Sequence, residues 1–144
     1  MRRAEWIEKP QDPKKLLAYF LMEDRLVTCH PQDTAQDVAQ KLYEWNCGAV
    51  PVVEKDKRLV GIVSEFDLLQ LIEAEKDLNT IHVADIMTKE VVTIKEDLPF
   101  FDTLRLLQNH HLIRVPVVRE GKIIGVVARR DVLMGYIKAK DEKV

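Results

Sequence analysis

Gly48-Ala49-Val50-Pro51-Val52-Val53, a charged turn, then Leu59-Val60-Gly61-Ile62-Val63-Ser64-Glu65-Phe66-Asp67 is a passage that the chain writes twice. The second copy reads Ile113-Arg114-Val115-Pro116-Val117-Val118, a turn, then Ile123-Ile124-Gly125-Val126-Val127-Ala128-Arg129-Arg130-Asp131. The offset is 65 residues before the turn and 64 after it, so the length change is one residue of a surface loop. Self-similarity at such a period marks two copies of one supersecondary unit. Each copy is too small to bury a good core alone. The copies are therefore expected to pack on each other, with any ligand held between them.

Outward from this passage, both copies follow the order strand, helix, strand, strand, helix. Val50 to Val53 and Val115 to Val118 are apolar throughout, which predicts strands covered on both faces. In the first copy, Leu26-Val27-Thr28 reads as a short extended piece. Gln32-Asp33-Thr34 then offers a cap to a helix whose inner face carries Ala35, Val38, Ala39, Leu42 and Trp45. Gly48 is expected to close that helix. The helix after Ser64 is expected to turn Phe66, Leu69 and Ile72 inward. In the second copy, Val91 to Ile94 is the first strand, Phe101, Leu104 and Leu107 mark the helix from about Pro99, and a last helix spans about Arg130 to Lys138. The resulting division is an N-terminal extension with a covering helix at 1–20, repeat one at 21–75, a linker at 76–82, repeat two at 83–138 and a solvated tail at 139–144. In the extension, Asp12-Pro13 reads as a cap with proline at the first helical position.

At 144 residues, with 47% hydrophobic and 32% charged residues, the chain has the balance of one globular domain or two joined halves. A formal charge of −2 gives no general pull toward nucleic acid or an anionic membrane. No apolar run approaches the roughly 18 residues that span a bilayer. The start has no signal-peptide stretch, so a cytoplasmic protein is expected. Cys29 and Cys47 form no CxxC pair and are expected to be free thiols. His30, His82, His110 and His111 show no metal-ligand spacing. There is no Walker loop and no Gly-x-Ser-x-Gly elbow, so the chain is not expected to be an enzyme.

The glycine-hydrophobic-hydrophobic-Ser-x-x-Asp run at Gly61 to Asp67, the paired Val-Pro-Val-Val strands, and Asp85-Ile86-Met87-Thr88 at the opening of repeat two together resemble a tandem pair of CBS domains. The resemblance covers roughly residues 16 to 138. Repeat one departs at its opening, where Phe20 to Asp24 replaces the usual Asp-hydrophobic-Met. The resemblance implies an α/β (α+β) fold in which two β-α-β-β-α repeats pack through their sheets into one pseudo-symmetric module, and it implies a homodimer of such modules. It also implies a regulatory ligand, an adenine-containing nucleotide (AMP, ADP, ATP or S-adenosylmethionine), with no cofactor required.

Two sites follow from the resemblance. The first uses Ser64 and Asp67 with Val83, Ile113 and Arg114, and His82 lies next to it. The second uses Asp131, Arg129 and Arg130 with Gly48, Ala49 and Val50, and has Ala128 where Ser or Thr is expected. The chemistry suits the assignment. A carboxylate accepts hydrogen bonds from both ribose hydroxyls, and helix N-terminal amides or an arginine fork receive a phosphate. Ser64 and Asp67 equally satisfy a capping box that stabilises a helix with no ligand. The alternative to the nucleotide sensor is a ligand-free structural, dimerisation or protein-interaction module.

Overall fold

The structure is a computed structural model that describes residues 1–140. Of the expected tail, residues 141–144 lie outside the described residues, whereas Ala139 and Lys140 belong to the last helix and Ala139 is buried. In chain order the elements are α1 (Ala18–Leu21), α2 (Ala35–Trp45), β1 (Ala49–Val53), β2 (Leu59–Ser64), α3 (Glu65–Glu73), α4 (Val83–Ile86), β3 (Ile94–Lys95), α5 (Phe100–Asn109), β4 (Arg114–Arg119), β5 (Lys122–Ala128) and α6 (Arg129–Lys140). The fold is α+β. Short 3-10 turns at Arg3–Trp6, Pro13–Lys15 and Leu78–Thr80 complete it. The Asp12-Pro13 signal is a real cap, with the Asp12 carboxylate accepting from the Lys14 amide, but it opens one 3-10 turn and not an α-helix.

The chain forms two compact units. One is Val27–Val91; the other joins Met1–Leu26 to the chain from Val92 onward. In the first unit β1 and β2 run antiparallel, and Cys29 adds a parallel bridge to Val52. In the second, β4 lies between an antiparallel β5 and a parallel β3. The repeat is visible in the register itself. Ile94 pairs with Val117 as Cys29 pairs with Val52, and the register slips between Val52 and Val53 just as it does between Val117 and Val118. The strand expected at Leu26 to Thr28 is thus reduced to the bridge at Cys29. Its thiol is fully buried, and burial pushes it up to about 12. Neither Cys29 nor Cys47 is in a disulfide.

The opening segment of each repeat is built into the unit that carries the other repeat's hairpin. Glu23 bridges to Val126, and Met22 lies on Gly125. Equivalently, Thr88 bridges to Ile62, and Met87 lies on Gly61. A methionine side chain is flexible enough to fill an irregular gap, and glycine leaves the gap by having no Cβ. Each unit has its own core. Phe100, Leu16, Leu21, Val115, Val117 and Val127 anchor one; Val38, Val50, Val52, Val63, Leu68 and Val83 anchor the other.

Three expectations need correction. Trp45 is 52% exposed and off the buried face of α2, which consists of Ala35, Val38 and Leu42. That helix is closed by Asn46 in the left-handed region (φ 49°), not by Gly48; asparagine tolerates this conformation through its short polar side chain. In α3 the buried residue is Leu68, with Leu71 packed beside it, while Phe66, Leu69 and Ile72 are all more than half exposed. Both faces of this helix are apolar, so periodicity does not choose between them.

A Cβ at Gly61 would lie 2.6 Å from the Met87 sulfur and 3.1 Å from its Cβ. Gly61→Ala is expected to lower stability by about 1–3 kcal/mol, as overpacking of a filled core does. Urea unfolding of the two proteins measures it, and an unchanged midpoint would mean that Met87 moves aside at no cost.

Candidate functional site

A helix starting directly from a strand leaves its first amides without intrahelical partners. The chain meets this need in the same way twice. At the β2–α3 junction the Asp67 carboxylate accepts from the Ser64 amide at 2.8 Å, and the Ser64 hydroxyl accepts from the Asp67 amide at 3.3 Å. This is the capping box expected from the sequence. The Glu65 amide donates to the Gly48 carbonyl at 3.0 Å. Ala49 pairs with Ser64 across β1 and β2. Gly48, Ala49, Ser64 and Asp67 are therefore gathered at one edge of one unit.

The second unit repeats the arrangement with other side chains. The Arg129 amide donates to the Ile113 carbonyl at 2.9 Å, and Arg114 pairs with Ala128. The Asp131 carboxylate accepts from the Ala128 amide at 2.7 Å. Ile113, Arg114, Arg129 and Asp131 thus share the corresponding edge. Ile113 is exposed and Arg114 partly so.

Several of the expected residues sit differently. Val50 and Val83 are fully buried side chains in the core of the first unit. The Val83 amide is tied to the Asp33 carbonyl at 2.8 Å, and His82, exposed, stands before α4. Arg129 folds back so that its Nε donates to the Leu112 carbonyl at 2.7 Å. Its side chain also borders an apolar groove of about 280 Å³ between α5 and α6, lined by Phe101, Leu104, Val132, Leu133 and Tyr136. Arg130 is exposed in the first turn of α6.

The largest departure is at Asp131. Its residue surface is 0% exposed, and Nη1 of Arg2 donates to Oδ1 of its carboxylate. Burial pushes the carboxyl above its ordinary value, opposed by the Ala128 amide and then by Arg2. The sequence reading did not reach Arg2. The pairing spans 129 residues of chain and has no motif; two adjacent arginines near the start are the only signal. Among the described residues no group of three or more His, Cys, Asp or Glu is placed to hold a metal ion, and no helix is long and apolar enough to cross a membrane.

A strand-to-helix junction tied by an aspartate, present once in each small α+β unit, is the mark of a tandem repeat, and comparison with known proteins agrees. The chain belongs to the CBS domain family, which matches residues 18–74 and 83–138. Protein YlbB of Bacillus subtilis is 37% identical over 112 residues, spanning 77% of this chain and 76% of that protein. Inosine-5'-monophosphate dehydrogenase of Methanocaldococcus jannaschii is 33% identical over 109 residues, 75% of this chain but 21% of that enzyme, so the likeness covers a minor part of it. Among solved structures, CBSX2 of Arabidopsis thaliana in complex with AMP has a TM-score of 0.75 at 27% identity, covering 85% of this chain and 97% of that one.

Loss of the cap hydroxyl separates the structural role of the first edge from any binding role. Ser64→Ala is expected to cost about 1 kcal/mol of stability without ligand, the usual worth of such a cap. Denaturant unfolding of ligand-free protein reads this, and no loss would show that the Asp67 carboxylate alone holds the turn.

Proposed function

We propose that the chain is a regulatory module that binds an adenine-containing nucleotide (AMP, ADP, ATP or S-adenosylmethionine) and signals by a conformational change. The observation that carries this reading is the edge formed by Gly48, Ala49, Ser64 and Asp67. There, a carboxylate held in place by the Ser64 amide stands partly exposed at a helix start. Such a carboxylate is a ready acceptor for a ribose diol. The complex of CBSX2 with AMP supports the ligand class. Arg114, partly exposed on the second unit's edge, is the residue we assign to the phosphate, because its guanidinium fork matches phosphate oxygens. A ligand of this kind changes the module's state to the extent that it binds one arrangement better than another.

The test is a thermal-shift panel on nucleotide-stripped protein with AMP, ADP, ATP, adenosine, S-adenosylmethionine and GTP. An adenine ligand at a hundred times its dissociation constant is expected to add about 2.7 kcal/mol per site, a rise of several degrees for a domain of this size. Asp67→Ala is expected to weaken that ligand by about 1–3 kcal/mol. A flat panel would reject the sensor reading.

A second reading, a dimerisation or protein-interaction module, is favoured by one observation. Phe66, Leu69 and Ile72 on α3, and Leu133, Tyr136 and Ile137 on α6, are apolar and exposed. Apolar rows of this kind mark interaction surfaces. We propose that they make the protein a homodimer, compatible with either reading. Sedimentation equilibrium is expected to give twice the 16.7 kDa chain mass, and Leu133→Glu is expected to return the monomer. A wild-type monomer at micromolar concentration would remove the dimer.

A further inference from the structure

We propose that Arg2 is a built-in occupant of the second nucleotide edge, covering the Asp131 carboxylate so that a ribose binds there only after the arginine side chain has swung out. The proposal rests on the nucleotide reading above and deepens it, because it assigns the two edges different resting states.

Asp67 and Asp131 are repeat equivalents, and both direct Oδ2 to the amide three residues earlier. They differ in what else they meet. In the first copy the Ser64 hydroxyl completes the box, and Asp67 stays partly exposed. In the second, Ala128 has no hydroxyl, and Oδ1 of Asp131 takes the Arg2 guanidinium instead. The Arg2 side chain is 28% exposed and the Asp131 side chain 0%. The arginine thus reaches solvent and the carboxylate does not, which is the arrangement of a plug. A guanidinium and a ribose diol offer the same thing to a carboxylate, namely hydrogen-bond donors side by side. They compete for one acceptor.

The plug can leave without unfolding the segment that carries it, because that segment is anchored by its neighbours. The Arg3 amide donates to the Met22 carbonyl at 3.0 Å, the Arg3 guanidinium lies 4.1 Å from the centre of the Tyr19 ring and also bonds Asp24, and Ala4 is fully buried. Burial of Asp131 also explains why a cation sits there at all, since an unpaired carboxylate at that depth is costly. A purely structural ion pair would account for this as well, and the two roles differ in their effect on binding.

The experiment is calorimetric titration of AMP into the nucleotide-stripped full chain, comparing wild type, Arg2→Ala and Arg2→Ala/Asp131→Ala. The wild type is expected to bind one AMP per chain well and a second weakly. Arg2→Ala is expected to tighten the weak site by about tenfold or more, equivalent to about 1.4 kcal/mol, and the double variant to lose that site again. Identical titrations of wild type and Arg2→Ala would overturn the plug while leaving the nucleotide reading intact. Binding by neither protein would overturn both. Should Arg2→Ala fail to fold, Arg2→Gln decides: a neutral side chain of similar reach is expected to be displaced more easily and to tighten the weak site, and a titration identical to that of the wild type would overturn the proposal.

Discussion

A methionine lying on a glycine, once in each unit, is the packing on which the rest of the structure depends. Met87 on Gly61 and Met22 on Gly125 bring a segment from outside each hairpin down onto its second strand, close enough for the bridges Thr88 to Ile62 and Glu23 to Val126. The absence of a Cβ is the enabling condition, because any side chain at either glycine would occupy the place of the thioether. Once those segments are docked, much else follows. Val83 enters the core of one unit, and Leu16, Ala18 and Leu21 enter the core of the other. The chain's first residues are carried along with the second set. Arg2 is therefore near Asp131 as a consequence of how Met22 packs.

The same economy appears at the helix starts. A carboxylate three residues into the junction is what a strand running directly into a helix needs for its own amides. A carboxylate so fixed is also preorganised for a ligand, since its rotamer is already set by a bond that binding does not have to break. Capping and binding are thus compatible uses of one side chain, with one oxygen directed inward to the amide and the other left for the site. This is why the capping geometry at Ser64 and Asp67 does not count against a binding role.

Much of this was legible in the sequence, for a physical reason. Repeats at constant offset reveal strands and junctions because the same local rules operate twice. The paired valine strands, the Thr34 and Ser64 caps and the α+β order are all local in character. What escaped was decided elsewhere. The inward face of α3 depends on the phase set by its cap against a helix apolar on both sides, so Phe66, Leu69 and Ile72 face outward although their spacing suits a core. Asn46, two residues before the expected Gly48, takes the left-handed position because the helix ends two residues earlier than glycine suggested. The Arg2 to Asp131 pair lay beyond local reading altogether, since no pattern of spacing relates residues so far apart in the chain.

Among the differences between the two edges is the hydroxyl present at Ser64 and missing at Ala128, and that loss has a chemical sequel. With a hydroxyl in the box, Asp67 is partly exposed and its carboxylate is bonded within its own turn. At Ala128 that hydroxyl is absent, Asp131 is buried, and burial holds its carboxyl above the ordinary value although the Ala128 amide and Arg2 oppose it. Arg2 is the cation paired with it. Replacing a short neutral partner by a long charged one changes the character of the edge. A hydroxyl is fixed to the backbone beside it, whereas a guanidinium on a flexible stem holds the carboxylate by a contact that can be exchanged for another donor. One unit thus carries an edge whose aspartate is held by its own helix, and the other an edge whose aspartate is also held by a residue 129 positions away in the chain.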